Sequence, residues 1–305
     1  MIITTTSALV LAAAVTLGAA GCSTTASSSS GKIVAIGAEN QYTSVISQIG
    51  GQYVEASSIM SDPNTDPHSF EASAKVASEI SGASLVVQNG LGYDGFMNKV
   101  EAATPNSSRV VLTAQTVLGL PDTTPNPHLW YDPKTMPAVG AKIEAALAKL
   151  QPSHKAYFAA KLTSFDASFT ALNDQIAAFK AAHPGVTVAT TEPVADYLLD
   201  SLGAKNLTPW AMQAAIMNDT DPAPQDVATQ EALFNDKSVK VFVYNTQVTD
   251  AITNTYLKLA KANNIPVVGV YETMPTDGFT YQSWMKAEIT ALDTAITSGK
   301  STTTL

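Results

Sequence analysis

The chain has a single cysteine, Cys22, in 305 residues, so it can form neither an internal disulfide nor a cysteine-based metal site. Charge is scarce as well. Asp, Glu, Lys and Arg together make up 14% of the residues, against about 25% in an average soluble protein. Basic residues are the scarcer kind, 17 against 26 acidic ones, leaving a formal net charge of -9. An acidic chain without a basic cluster is a poor partner for nucleic acid. No HExxH motif is present, which removes the local signature of a zinc hydrolase. The loop Asn89-Gly90-Leu91-Gly92-Tyr93 is glycine-rich but lacks the GK[ST] ending of a phosphate loop. What abounds is apolar: 45% of the chain is hydrophobic, enough for a core in two domains or one large one.

The amino-terminal apolar run, residues 6–21, ends in small residues and is too short for a comfortable membrane span. It reads as a signal h-region. Ala19-Ala20-Gly21-Cys22 resembles a bacterial lipobox, which would make Cys22 the site of lipid attachment. Residues 23–30 form a Ser/Thr/Ala leash. Residues 1–31 are therefore expected to be signal peptide and linker, with the folded part starting near Lys32.

From there strands alternate with helices. Short apolar runs at residues 33–37, 54–60, 84–88 and 109–112 read as strands, and residues 42–49, 73–81 and 96–102 as helices. That alternation predicts a mainly parallel sheet with α/β crossovers. Residues 153–182 lack glycine and proline. Their apolar residues Tyr157, Leu162, Phe165, Phe169, Leu172, Ile176 and Phe179 recur mostly every three or four positions, one face of a long amphipathic helix. A helix of that length can cross between domains. After it the pattern restarts: residues 33–50 and 186–203 both read as strand, polar loop, helix and glycine. Residues 85–90 likewise resemble 242–246, a weak internal repeat of two α/β lobes. A last strand at 266–271 and a helix at 281–297 end the fold. The domains expected are an amino-terminal lobe at 32–150, a linking helix at 151–184 and a carboxy-terminal lobe at 185–305.

Two of the four histidines, His68 and His128, follow an Asp-Pro or Asn-Pro step. Imidazole is the commonest protein metal ligand, and the proline narrows the conformations of the loop that presents it. In open α/β sheets ligands bind at the carboxyl ends of strands. Loops at those ends offer His68, His128, Glu192 and the pair Glu272 and Asp277. Two imidazoles with one or two carboxylates suit Zn²⁺, Mn²⁺ or Fe²⁺. The blander readings are that Glu192 caps the following helix, that Glu272 sits in solvent, and that Trp130 and Tyr131 merely pack the loop beside His128. His154 and His183, at the ends of the long helix, read as structural or solvated.

Asp66-Pro67-His68-Ser69-Phe70-Glu71, Asn89-Gly90-Leu91-Gly92-Tyr93-Asp94, Asn126-Pro127-His128-Leu129-Trp130, Thr191-Glu192-Pro193 and Glu272-Thr273-Met274-Pro275 together resemble one family. It is that of the cluster A-I, zinc/manganese-type solute-binding lipoproteins of bacterial ABC importers. The resemblance implies two lobes, each a mainly parallel β-sheet flanked by helices, joined by one long rigid α-helix, with one divalent metal ion between them. It implies His68 and His128 as the two amino-lobe ligands and Glu192 where members carry histidine or glutamate. The fourth family ligand is usually an aspartate after the last strand. Here Glu272 is the expected residue and Asp277 the reserve. A His₂(Glu)₂ set, without a His-rich loop, leans towards manganese. The resemblance further implies a monomeric, lipid-anchored extracytoplasmic protein that delivers its ion to an ABC permease and catalyses no reaction. The rival readings are a binding protein for a metal chelate of siderophore or corrinoid type, a metal-dependent hydrolase, and an adhesive surface lipoprotein.

Overall fold

The run Ile33–Glu39 (β1) is buried along nearly its whole length, as a strand covered on both faces of a parallel sheet must be. The structure, a computed structural model, describes residues 1–2, 31–63, 70–275 and 278–305. Cys22 with its lipobox-like surroundings, His68 and Asp277 lie outside the described residues. Lys32–Leu305 forms one unit. Its first half places β1 between β2 (Val54–Met60) and β3 (Leu85–Gln88), with β4 (Val110–Thr113) beyond, every pair parallel. The second half repeats the arrangement with β5 (Thr187–Thr190), β6 (Lys205–Asn206), β7 (Val241–Asn245) and β8 (Val267–Val270) in the order β6-β5-β7-β8. The internal repeat anticipated in the sequence is thus a repeat of topology.

Helices cover both sheets, as parallel crossovers require. In the first half these are α1 (Asn40–Gly50), α2 (Ala74–Gly82), α3 (Gly95–Ala103), α4 (Ala114–Leu118) and α5 (Thr135–Leu150). In the second they are α7 (Asp196–Ser201), α8 (Trp210–Met217), α9 (Pro224–Asn235), α10 (Ala251–Ala262) and α11 (Tyr281–Ser298). Between them runs α6, Lys155–Ala182, of 28 residues and about 42 Å at 1.5 Å per residue. It buries Phe158, Phe165, Phe169, Leu172 and Phe179 against α1 and α5 of the first half and α11 of the second. One hydrophobic cluster consequently runs from Ile33, Ile46 and Trp130 through the helix to Val243, Trp284 and Leu292. This joins the two lobes by an apolar back wall.

Three details depart from the sequence reading. No polar loop separates β1 from α1: the helix starts at Asn40, directly after Glu39. The residues from 204 to 262 hold β6, α8, α9 and α10, which periodicity did not reveal. The strand β6 has only two residues, and α8, WAMQAAIM, is apolar almost all round, so neither carries a usable period. The five-residue α4 is below the length at which a period can be read.

Candidate metal centre

His128 sits between α4 and α5 with its ring fully buried. Asn126 fixes that ring. Its Oδ1 accepts from the backbone N–H of His128 at 3.0 Å and lies 2.8 Å from Nδ1, while its Nδ2 donates to the Pro193 carbonyl at 2.8 Å. The last bond sets which end of the amide is oxygen. Nδ1 must then carry the proton, and the lone pair falls on Nε2. Edge-on contacts with Tyr93 and Trp130, at 5.8 and 5.3 Å between ring centroids, hold the imidazole from the sides. Trp130 and Tyr131 are wholly buried, so they do pack this loop.

The carboxylates come from the second half. Glu192 follows β5 and Glu272 follows β8; they are 2% and 0% exposed, which removes the solvated reading of Glu272. One amide spans them. Asn245, the last residue of β7, donates through Nδ2 to Oε1 of Glu192 at 3.0 Å and to Oε1 of Glu272 at 2.8 Å. Asn245 is itself fixed: its N–H donates to Thr191 Oγ1, and its Oδ1 accepts from the N–H of Gln247. Gln247 in turn accepts the backbone N–H groups of Glu272 and Thr273 on Oε1, at 2.6 and 2.9 Å. Tyr93, from the amino half, donates its hydroxyl to Oε2 of Glu272 at 2.9 Å. Burial, and next the charge of Glu272, push the Tyr93 phenol well above its ordinary range, so it stays a donor.

Across this seam His128 Nε2 lies 3.5 Å from Glu272 Oε2. Two ligands of one tetrahedral ion at bond lengths near 2.1 Å stand about 3.4 Å apart, so this pair has the separation of one edge of a metal polyhedron. Among the described residues no three His, Cys, Asp or Glu groups are gathered closely enough to hold an ion. The described site is therefore one His–Glu edge, with Glu192 linked to it through Asn245. His68 and the reserve Asp277 fall outside the described residues. His154 stacks on Tyr53 at 3.7 Å, and His183 contacts Asp293 at 2.7 Å; neither enters the site.

The seam is hydrogen-bonded on both sides of the centre. Asn40 and Met274 exchange two bonds, the Asn40 Nδ2 to the Met274 carbonyl and the Met274 N–H to Asn40 Oδ1. Gln41 donates to the Glu272 carbonyl, and Tyr197 to that of Asn126. The sequence reading missed Asn245 and Gln247 as supports and assigned Tyr93 no role. Asn245 had one visible signal, its place at the end of an apolar run like that before Asn89. Gln247 had none.

Residues 38–295 match the family described as "Zinc-uptake complex component A periplasmic", ZnuA. A protein of Treponema pallidum (strain Nichols) described as metal-binding is 27% identical over 145 residues, which cover 42% of this chain and 46% of that protein, about half its length. Among solved structures, the periplasmic zinc-binding protein TroA from Treponema pallidum superposes with a TM-score of 0.73 at 16% identity, covering 88% of this chain and 100% of the other. The solute-binding protein FpvC of Pseudomonas aeruginosa, in complex with Mn²⁺, gives 0.70 at 20% identity, covering 87% and 98%. These two likenesses concern the fold. Among the described residues no helix is long and apolar enough to cross a membrane.

Proposed function

The chain belongs to the family of the periplasmic component A of zinc-uptake complexes, and we propose that it captures one divalent transition-metal ion between its lobes and delivers it to the permease of an ABC importer. The observation that carries this reading is the His128–Glu272 edge, 3.5 Å long and fully buried, with Glu192 held beside it by Asn245. Imidazole nitrogen and carboxylate oxygen suit Zn²⁺ and Mn²⁺, and Fe²⁺ by the same chemistry. His68 is the donor we assign to the remaining amino-lobe position, with Asp277 in reserve behind Glu272. Two carboxylates on one amide in a buried site repel each other, and a divalent cation relieves that repulsion.

The protein acts by binding and release; no bond of a substrate is broken. We assign residues 32–150 and 185–305 to the two lobes, 151–184 to the link, and Cys22 to lipid attachment. Lipid on Cys22 would tether the protein outside the cytoplasmic membrane, and we assign it as a monomer there. The test is metal content by elemental analysis, with thermal shift on stripped protein reloaded with Zn²⁺, Mn²⁺ or Fe²⁺. One equivalent bound with a large upward shift is expected, and a weaker response in Glu192→Ala with the apo fold intact. A stripped wild type that takes up none of the three ions would overturn the reading. It would bring forward the metal-chelate alternative, which the same assay run with iron–siderophore and corrinoid probes would detect.

A further inference from the structure

Glu39 closes β1 with its side chain fully buried. Among the described residues, neither carboxylate oxygen meets a hydrogen-bond donor apart from its own backbone N–H. No Lys or Arg among the described residues pairs with it. Burial first, and the charge of Asp94 second, push its carboxyl well above the usual range. A buried polar side chain left in that condition calls for an explanation, and an ion that enters later is one of the few available.

The sheet registers say what Glu39 corresponds to. In the first sheet Gly37 pairs with Val87; in the second Thr190 pairs with Val243. Two residues further along the central strands stand Glu39 and Glu192, and two further along their neighbours stand Asn89 and Asn245. Glu39 is thus to Asn89 what Glu192 is to Asn245. The second lobe uses its asparagine to hold its glutamate. In the first lobe Asn89 is engaged elsewhere, donating to the carbonyls of Gly90 and Pro127 and accepting from the Tyr42 hydroxyl. Its glutamate is left without that partner. Like Glu192, Glu39 stands at the carboxyl end of the central strand of its sheet, and its charge is felt by Tyr93, whose hydroxyl rests on Glu272.

We propose that Glu39 is a further carboxylate donor to the captured ion, the amino-lobe counterpart of Glu192. The inference rests on the metal-capture reading. It gives the site one oxygen ligand more than a four-coordinate ion uses. Zn²⁺ favours four ligands, whereas Mn²⁺ accepts more and favours oxygen. Glu39 therefore tilts selection towards Mn²⁺.

The test compares wild type with Glu39→Gln, which keeps size and loses charge, and Glu39→Asp, which keeps a shorter carboxylate and serves should the first variant not fold. Affinities for Mn²⁺ and Zn²⁺ are measured by chelator competition, and coordination from the visible spectrum of the Co²⁺ form. In Glu39→Gln the Mn²⁺ affinity should fall at least about tenfold, with a smaller loss for Zn²⁺. The Co²⁺ bands should strengthen as one ligand is lost, and Glu39→Asp should lie between. Unchanged affinities and an unchanged Co²⁺ spectrum, in a wild type that binds one equivalent, overturn the inference and leave the metal reading standing. Equal losses for both ions with an unchanged Co²⁺ spectrum also overturn it, since Glu39 would then act through another residue. A wild type that binds no metal overturns both.

Discussion

The two sheets share one strand order, β2-β1-β3-β4 and β6-β5-β7-β8, but use the ends of equivalent strands differently. In the second lobe Asn245 spends its amide on two buried carboxylates, those of Glu192 and Glu272. In the first lobe its counterpart Asn89 ties its own loop to Pro127, one residue before His128. Asp94 completes that loop by accepting the N–H groups of Asn89 and Gly90, and burial outweighs these bonds to raise its carboxyl to about 6. The first lobe therefore stiffens the backbone that carries an imidazole, whereas the second grips the carboxylates themselves. A repeated fold gives two similar platforms; a few polar side chains decide what each presents.

The sharpest way to break this division is to remove the imidazole. His128→Ala should lose more metal affinity than the roughly 10–100-fold typical of supporting residues, read by competition with a chelator. Retained tight binding would take His128 out of the site. Next comes the asparagine pair. Asn245→Ala should weaken binding by about 10–100-fold with a modest change in the apo melting temperature. Asn89→Ala should do the reverse, destabilising the apo protein by about 1–3 kcal/mol because Tyr42 and Pro127 lose buried partners, while affinity changes little. Equal affinity losses in both variants would erase the distinction between the lobes.

Acid should act on both lobes at once. The proposed site needs neutral imidazole and ionised carboxylates, so affinity should fall as the pH drops through the histidine range and below, measured as proton release on loading at several pH values. A flat affinity from pH 8 to pH 5 would remove His128 as a ligand.

The smallest effect on metal affinity comes from the link between lobes, where the readout is stability rather than the ion. Glu288 on α11 is fully buried and accepts from Tyr131 Oη and Trp284 Nε1, both at 2.8 Å. Burial outweighs those bonds and raises its carboxyl to about 8. The folded chain thus keeps a proton that the unfolded chain releases near pH ~4.3. Stability from this group is full below that pH, declines as the pH rises through about 8 and is level beyond, a change of the order of a few kcal/mol. Apo wild type should melt at a lower temperature at pH 8 than at pH 5, and Glu288→Gln should flatten the slope. An identical slope in the variant would assign the pH dependence to other groups.

Much of the architecture was legible because it rests on local pattern. Buried strands such as β3 and β7 are short apolar runs, and Phe165, Phe169, Leu172 and Phe179 mark one face of α6 at helical spacing. Phe158 escaped, since Tyr157 beside it held the expected position and is only half-buried. The stretch containing β6, α8 and α9 escaped because a two-residue strand and a helix apolar all round have no readable period. At the site, Glu192 and Glu272 could be picked out by residue type and by their place after strands, whereas His128, which follows α4 rather than a strand, was marked by its Asn-Pro step. Gln247 could not, because nothing local distinguishes it from any polar loop residue.

Sequence alone determined the α/β alternation, the long helix and the donor types, because these depend on neighbours three or four positions away and on side-chain chemistry. Tertiary structure decided which of those donors meet. Residues 128 and 272 become neighbours only when the shared apolar cluster along α6 brings the ends of two sheets together. It also decided that one glutamate after a central strand is held by an asparagine and its counterpart is not. That choice depends on where Pro127 and Tyr42 arrive in space, which no local pattern encodes.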